Sequence, residues 1–172
     1  MTPMPGYGRP RDRLTIGSLW IDRLTFAEAL DEIGTLVESG RGGRVFTPNL
    51  DHVVLANDNA AFRAAYAAAE LSRVDGTPRV WAARLLVIRL PDKISGSDLV
   101  WPLLDRAGRA KWRVYLLGGA EGVGAEAAEV MRRRCGVNVV GIDAPRVATD
   151  GQIQDAGESL ARIRPGLPDS RK

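Results

Sequence analysis

Cysteine and histidine are scarce in this sequence, and Cys135 and His52 are the only ones. A single cysteine excludes an internal disulfide and a metal cage built from thiolates, and it agrees with a reducing compartment. A zinc site drawing on one histidine and one cysteine is also disfavoured. A Ser-His-Asp triad would have to use His52, and no Gly-x-Ser-x-Gly segment supplies a nucleophile. A residue in the first turn of a helix, as His52 is predicted to be, more often packs or is solvated than takes part in catalysis.

Long apolar runs are also missing. No stretch approaches the roughly 20 apolar residues that a membrane-spanning helix needs. Residues 1–12 hold three prolines and two glycines and lack the apolar core of a signal peptide, so they are predicted to be a flexible lead-in. The expected compartment is the cytoplasm.

The excess of positive charge is small, with 24 Lys and Arg against 21 Asp and Glu, a net charge of +3 and a pI near 9.4. It would suit a nucleotide, a pyrophosphate or an acidic membrane surface, but no basic run interleaved with aromatics indicates nucleic acid. A GC-rich genome, which favours Arg and Ala codons, explains the composition equally well. A chain of 172 residues, 45% hydrophobic and 26% charged, is typical of one globular domain, predicted over 13–169 with a tail at 170–172.

Strand and helix patterns alternate along the chain. Thr25 and Glu28 have the spacing of a capping box, and Asn49 or Asp51 can cap a later helix. The predicted strands lie at 13–22, turned at Gly17-Ser18, and at 44–49, 71–76, 112–117 and 137–141; the predicted helices lie at 26–39, 50–69, 80–87, 97–108, 123–134 and 158–163, with a loop at 89–96. The unit from 44 to 76 predicts a right-handed strand-helix-strand motif with parallel strands. The expected fold is α/β, a Rossmann-like open and mostly parallel sheet flanked by helices.

Asp75 is the candidate chemical centre, because it ends a strand and precedes Gly76. Such an aspartate can be held over a binding crevice, although Asp-Gly is also among the commonest turn dipeptides. Thr47, Asn49 and Asp75 would lie at the carboxyl ends of neighbouring strands, where open α/β sheets bind ligands. A lone carboxylate there can act as a general base toward a substrate hydroxyl.

Gly118 and Gly119 begin a glycine-rich segment, 118–124, between a predicted strand and helix. The segment lacks Gly-x-Gly-x-x-Gly spacing, and it is not a P-loop because Ala125 and Glu126 stand where Lys and Ser or Thr are needed. The backbone N–H groups of such a turn can receive a phosphate. A tight turn with close packing is the equally weighted alternative.

Five motifs occur in order: Thr-Pro-Asn-Leu-Asp-His at 47–52, Val-Asp-Gly at 74–76, Trp-Ala-Ala-Arg-Leu-Leu at 81–86, Lys-Ile-Ser-Gly-Ser-Asp-Leu at 93–99 and Val-Tyr-Leu-Leu-Gly-Gly at 114–119. Together they resemble the WecG/TagA/CpsF family of bacterial glycosyltransferases, glycosyltransferase family 26, over residues 14–169. The resemblance implies transfer of a sugar, often N-acetylmannosamine from its UDP donor, to a polyprenyl-diphosphate-linked sugar at the cytoplasmic membrane face. The pathways implied are wall teichoic acid, enterobacterial common antigen, and capsular or exopolysaccharide synthesis.

The resemblance also implies roles for single residues. Asp75 matches the proposed catalytic base, and Thr47 and Asn49 match polar residues that line the site. Lys93 falls where the family usually has an arginine thought to meet the diphosphate; it keeps the charge but loses the two-pronged donor geometry. The glycine turn beginning at Gly118 matches one near the nucleotide. No cofactor and no metal are implied, and the oligomeric state is not specified, with a homo-oligomer as one option.

Family members continue past a Pro-Asp pair, here at 168–169, into a strand and a Gly-x-Pro-Lys-Gln-Glu segment that helps form the nucleotide site. The sequence printed here has three residues after that pair. The expectation is therefore a C-terminally truncated enzyme, with a non-catalytic nucleotide- or lipid-binding remnant as the alternative. A nicotinamide-dependent oxidoreductase is disfavoured, because the glycine fingerprint and its acidic partner are not both present.

Overall fold

A computed structural model describes residues 12–40, 42–73 and 96–145. The chain divides into two compact units, Met1–Leu99 and Val100–Lys172. The predictions for 1–11, 80–87, 89–95 and 158–163 lie outside the described residues, as do Asp75 and Lys93. The single domain predicted over 13–169 stays a prediction.

The first unit opens with an antiparallel hairpin of β1 (Arg13–Ile16) and β2 (Leu19–Asp22). The prediction of one strand turned at Gly17-Ser18 is therefore correct about the turn, which separates two strands. Leu19 and Ile21 of β2 are 1% exposed and anchor the hairpin in the core. Asp22, the last residue of β2, is buried with them at 2% exposure.

Helix α1 (Phe26–Glu38) begins at the predicted capping box. The Thr25 hydroxyl oxygen accepts the Glu28 backbone N–H at 3.3 Å, and the Glu28 carboxylate accepts the Thr25 backbone N–H at 2.8 Å. These bonds satisfy two N–H groups that a helix start leaves without intrahelical partners, and a cap of this kind is typically worth about 1 kcal/mol. The helix ends at Ser39, so both predicted ends are confirmed.

Two parallel strands with helices between them follow the hairpin, as predicted. Val45 pairs with Leu71 and Phe46 with Ser72. The single helix predicted between them is wrong, because Asn59 ends one helix and caps the next: its side-chain oxygen accepts the Phe62 N–H at 2.9 Å. An asparagine side chain competes for backbone N–H groups and so favours such breaks. The elements are β3 (Val45–Phe46), α2 (Leu50–Asp58), α3 (Ala60–Ala67) and β4 (Leu71–Ser72).

An aromatic cluster fills the core of this unit around Tyr66, which is 3% exposed. Its ring lies 4.5 Å from that of Phe46 and 5.1 Å from that of Phe62, measured between centroids. The Tyr66 hydroxyl lies 2.9 Å from His52 Nδ1, and burial raises the pKa of Tyr66. The structure thus supports the packing interpretation of His52.

Glu70 joins the two parallel strands at their beginnings. Its carboxylate accepts the backbone N–H of Arg44 and lies 3.7 Å from Arg44 Nε. The hydrogen bond from the Arg44 N–H is the main reason that the pKa of Glu70 lies below its usual value of 4.5. A carboxyl group with a lowered folded-state pKa adds stability at neutral pH and loses that contribution as the pH falls through the folded-state pKa.

We expect Glu70→Gln to be less stable than the wild type at pH 7 by about 0.5–1 kcal/mol, because the bond is partly exposed to water. The difference should shrink as the pH falls below 4.5. Urea unfolding of both proteins between pH 7 and 3 measures it. A stability difference that stays constant over this range would contradict the assignment.

The described part of the second unit contains two helices and two parallel strands. The first of these helices begins at Gly96, so its first residues, 96–99, belong to the first unit. Their bounds are α4 (Gly96–Arg109), β5 (Arg113–Leu117), α5 (Val123–Cys135) and β6 (Asn138–Asp143). Arg113 pairs with Asn138 and Leu117 with Asp143, with an irregularity after Val114. Leu104 and Ala107 of α4 pack with Ala128 of α5 and with Val137 and Val139. Each element lies within two residues of its predicted bounds.

The predicted α/β class is confirmed by these elements: short parallel and antiparallel strands flanked by helices, as in a Rossmann-like open sheet. Two of the three strand pairings described are parallel. Within the described part of the chain, no helix combines the length and apolar character needed to cross a membrane.

Candidate functional site

Thr47 follows β3 directly and is half-buried against the first residue of α4. A Cβ atom built on Gly96 would lie 2.9 Å from the Thr47 hydroxyl oxygen and 3.3 Å from Thr47 Cβ. Real Cβ atoms essentially never approach another atom so closely as the first distance, so a side chain at position 96 would push Thr47 away. The start of α4 and the end of β3 are therefore in direct contact at a predicted site residue.

Asn49 is the N-cap of α2, as predicted. Its side-chain oxygen accepts the backbone N–H of His52 at 3.0 Å, and its backbone is extended. Among the described residues, the amide nitrogen of this side chain has no hydrogen-bond partner. The cap therefore uses only the oxygen end of the carboxamide.

Arg73, the residue after β4, is 5% exposed. Its backbone N–H donates to the Phe46 carbonyl at 2.8 Å. Its guanidinium donates to the carbonyl of Leu24 and, at 3.0 Å, to that of Thr25. Arg73 is thus fixed both to β3 and to the segment before α1.

Asp22 is the second buried charged residue near this strand. One carboxylate oxygen accepts Arg13 Nε–H at 2.9 Å, and the other accepts the backbone N–H of Ser72 at 3.0 Å. Sequence reasoning missed both Asp22 and Arg73. The sequence marks each of them only as a charged residue at or just after the end of an apolar strand, and such a residue also fits the start of a loop.

The turn between β5 and α5 contains Gly118 and Gly119, whose φ angles are +103° and +88°. These angles favour glycine strongly. The Gly118 N–H donates to the Asp143 carbonyl at 2.8 Å and so continues the strand ladder. Helix α5 has no side-chain cap, because its N-cap residue is Gly122. At the start of α5 the Val123 N–H already donates to the Ala120 carbonyl at 3.2 Å and the Ala125 N–H to the Gly122 carbonyl at 3.1 Å. Within the described part of the chain, the groups that this turn can offer to a phosphate are therefore the N–H groups of Gly119 and Gly124.

Two carboxylates act against anion binding at this turn. Glu121 lies within it, and Glu126 lies in the first turn of α5. A negative side chain in the first turn already offsets the positive end of the helix dipole. A Cβ atom built on Gly118 or Gly119 would meet nothing within 4 Å, whereas one on Gly124 would lie 2.5 Å from Ile142 Cγ2, so close packing is found only at the end of this segment.

Residues 14–169, nearly the whole chain, match the model of the Glycosyl transferase WecG/TagA/CpsF family. The chain belongs to this family. The resemblance read from the five motifs is thereby confirmed. The positions of all six predicted site residues fall within the matched range, and their roles stay predictions: Thr47, Asn49, Asp75, Lys93, Gly118 and Gly119.

A curated relative of this WecG/TagA/CpsF protein is the N-acetylglucosaminyldiphosphoundecaprenol N-acetyl-beta-D-mannosaminyltransferase of Bacillus spizizenii (strain ATCC 23059 / NRRL B-14472 / W23). The two are 29% identical over 136 residues, which cover 78% of this chain and 51% of the relative. The chain thus spans about half the length of the curated relative that it matches.

Four of the six predicted residues of this family member are described. Thr47 and Asn49 lie two residues apart after β3, and Gly118 and Gly119 form the turn after β5. Asp75 and Lys93 lie outside the described residues, so their roles stay predictions. The structure adds Gly96, which contacts Thr47, to the residues near the end of β3.

Metal-binding side chains are not grouped in the described ranges: no three His, Cys, Asp or Glu residues there could hold one ion. Cys135 lies at the end of α5, and its pKa is raised mainly by a hydrogen bond with the Asp105 side chain. A raised pKa lowers the fraction of the reactive thiolate.

Proposed function

We propose that this chain transfers an N-acetylhexosamine, with N-acetylmannosamine the first candidate, from a UDP-sugar to a polyprenyl-diphosphate-linked sugar. Membership of the WecG/TagA/CpsF family over residues 14–169 carries the proposal. The name of the Bacillus relative supports the choice of sugar and an acceptor of the N-acetylglucosaminyldiphosphoundecaprenol type. The UDP donor is taken from the family resemblance.

Asp75 is the proposed general base. It follows Ser72, the last residue of β4, by three residues in the sequence. Ser72 pairs with Phe46, the residue before Thr47. Thr47 and Asn49 thus follow the strand that pairs with β4, and we propose that they bind the same substrate as Asp75.

Lys93 is proposed to support the departing diphosphate. It precedes Gly96, which contacts Thr47 after β3, by three residues in the sequence. An ammonium group there would stabilise the negative charge that develops on the leaving group.

The proposed reaction is a single displacement with inversion at the anomeric carbon. Asp75 removes the proton from the acceptor hydroxyl as its oxygen bonds to the anomeric carbon. The bond from that carbon to the diphosphate oxygen breaks, and UDP leaves with the electron pair. In the second unit, we propose the turn of Gly118 and Gly119 as a contact for the nucleotide, mainly through the Gly119 N–H.

A lipid-linked acceptor implies that the protein works at a membrane surface, so we propose peripheral binding at the inner face of the plasma membrane. The weak positive net charge is compatible with anionic lipids but does not require them.

A transfer assay tests this proposal. The protein is incubated with UDP-N-acetylmannosamine and a polyprenyl-diphosphate-linked N-acetylglucosamine, and mass spectrometry follows the acceptor. We expect an acceptor extended by one N-acetylhexosamine, with UDP released in equal amount. UDP-N-acetylglucosamine is the matched donor control and should give little product.

UDP binding, measured by calorimetry on the same sample, separates the alternative. Binding without product would support a non-catalytic nucleotide-binding protein of the same family. The absence of both binding and product would overturn the proposed function.

A further inference from the structure

The charges of residues 100–145 are divided between the two ends of the second unit. All seven Lys and Arg residues of this range lie where α4 and α5 end and where β5 and β6 begin: Arg106, Arg109, Lys111, Arg113 and the arginine run 132–134. Asp105 and Glu129 are the two carboxylates among them. The other three carboxylates of the range lie toward the opposite end: Glu121, Glu126 and Asp143. We call the end with the seven cations the basic end.

The backbone brings these seven positions together. Strands β5 and β6 are parallel and Arg113 pairs with Asn138, so the two strands begin side by side. Helix α4 ends four residues before Arg113, and α5 ends three residues before Asn138. A Cβ atom built on Gly108 would collide with the Cys135 carbonyl oxygen, so the last turns of the two helices are in contact. The seven cations therefore belong to one surface.

Part of this charge has a role within the fold. Cations in the last turn of a helix are favourable, because they offset the negative end of the helix dipole. Arg132 also donates to the Val139 carbonyl at 3.2 Å, and the Arg134 guanidinium lies over the Trp101 ring, 4.1 Å from its centroid. These contacts account for two of the three arginines of α5, but they do not extend to the cations that follow α4.

Lys111 has a backbone conformation that favours glycine. Its φ is +55°, and it is the only residue other than glycine with a positive φ in the described part of the chain. Its N–H donates to the Gly108 carbonyl at 3.3 Å, and the Trp112 N–H donates to the Ala107 carbonyl at 2.8 Å. This pair of bonds is a Schellman motif, in which glycine is the usual residue at the position of Lys111. A lysine held against its backbone preference indicates that its charge has a use outside the fold.

We propose that the basic end binds the anionic headgroups of a phospholipid membrane. The inference rests on the proposed function, in which a membrane lipid carries the acceptor, and it assigns the membrane contact to one surface. Each Lys or Arg close to an anionic membrane is worth about fivefold in affinity. Arg133 is 71% exposed, and Val130 one turn earlier is 42% exposed. An apolar side chain beside exposed cations suits the boundary between headgroups and acyl chains.

The position of the basic end also agrees with a soluble donor. Strand β5 begins at this end and leads to the turn of Gly118 and Gly119, which we propose as a nucleotide contact. If the basic end lies on the membrane, this turn faces the solution, from which a UDP-sugar arrives.

Single-stranded nucleic acid is the competing anionic partner. It would need aromatic faces on which bases can stack. The two tryptophans of α4 and the turn after it instead lie against arginines: Trp101 against Arg134, and Trp112 against Arg106 at 5.7 Å from the ring centroid. Cations on these rings favour the lipid.

Binding to vesicles tests the proposal. The full chain is sedimented with vesicles of equal parts phosphatidylglycerol and phosphatidylcholine, and with vesicles of phosphatidylcholine alone. We expect binding to the anionic vesicles only, with release at high salt, because salt screens the charges. Arg109→Gln and Lys111→Gly should each weaken binding about fivefold, and together about 25-fold. Lys111→Gly should melt no lower than the wild type, since glycine suits this backbone conformation, so unfolding would not explain its loss of binding.

Glu129→Gln and Glu121→Gln are the matched controls, because they change the net charge equally. Glu129 lies 3.6 Å from Arg133 and its side chain is 58% exposed, so its neutralisation should tighten binding about fivefold. Glu121 lies in the turn before α5, at the other end of the helix, and its neutralisation should leave binding unchanged. Equal effects of the two variants would show that net charge sets the affinity, and they would overturn the role of the basic end.

Wild-type affinity of the Arg109 and Lys111 variants would also overturn the proposal, as would equal binding to phosphatidylcholine alone. Tighter binding to polyuridylate, weakened by the same substitutions, would assign the surface to nucleic acid instead. Transfer to a water-soluble, short-chain acceptor does not need a membrane, so the variants should keep the wild-type rate in that assay. A wild type that binds anionic vesicles but transfers no sugar to either acceptor would overturn the proposed function and leave the lipid contact standing.

Discussion

Replacing Asp75 by asparagine is expected to lower kcat for sugar transfer by about 10²- to 10⁴-fold, the usual contribution of a general base. Asparagine has nearly the same shape as aspartate but cannot take the proton from the acceptor hydroxyl. The donor does not need that proton transfer in order to bind, so its dissociation constant should change little. Initial rates at saturating acceptor and a donor titration by calorimetry measure the two effects separately.

Asp58→Asn is a suitable control for this experiment. Asp58 is an exposed carboxylate at the end of α2, and its neutralisation removes a negative charge from the negative end of a helix. Activity should therefore stay unchanged. An Asp75→Asn variant that keeps more than a tenth of wild-type turnover would show that another group accepts the proton.

Local signals explain the parts of the fold that the sequence predicted well. The capping box of Thr25 and Glu28 and the apolar spacing after it define α1 almost completely. The break at Asn59 was missed, because the apolar pattern continues across it from Val53 to Tyr66. Here the hydrogen-bonding capacity of one side chain overrides helical periodicity.

The candidate site also has one part that the sequence predicts and one part that it does not. Thr47 and Asn49 were predicted from the rule that ligands bind at the carboxyl ends of parallel strands, and the structure places both directly after β3. The contact of Thr47 with Gly96 and the bond from Ser72 to Asp22 join residues about fifty positions apart. No local pattern encodes such pairs, since they arise only when separate elements pack.

Asn49 combines a structural and a proposed substrate-binding role, and two substitutions separate them. Alanine removes the cap and the amide donor together, so it should lower stability by about 1 kcal/mol and reduce transfer. Aspartate caps a helix as well as asparagine does, and its charge suits the positive end of α2. It also replaces the amide donor with a negative acceptor.

We therefore expect Asn49→Asp to keep wild-type stability while transfer falls about 100-fold, the effect of losing one hydrogen bond to a charged ligand at about 2–3 kcal/mol. Repulsion between the new carboxylate and the donor diphosphate acts in the same direction. Urea unfolding and kcat/KM for the donor measure the two quantities.

Asn59 offers a control with the same chemistry. Its side-chain oxygen caps α3 by accepting the Phe62 N–H at 2.9 Å, just as Asn49 caps α2, but it does not follow a strand. Asn59→Ala should therefore lower stability as Asn49→Ala does and leave kcat/KM unchanged. Asn59→Asp should also leave kcat/KM unchanged, although its charge lies at the negative end of α2 as well as the positive end of α3. Because the capping contribution is common to both positions, a loss of transfer specific to Asn49→Ala must come from the amide donor, and one specific to Asn49→Asp from the lost donor together with the new charge. Full activity of Asn49→Asp would make Asn49 a helix cap and nothing more.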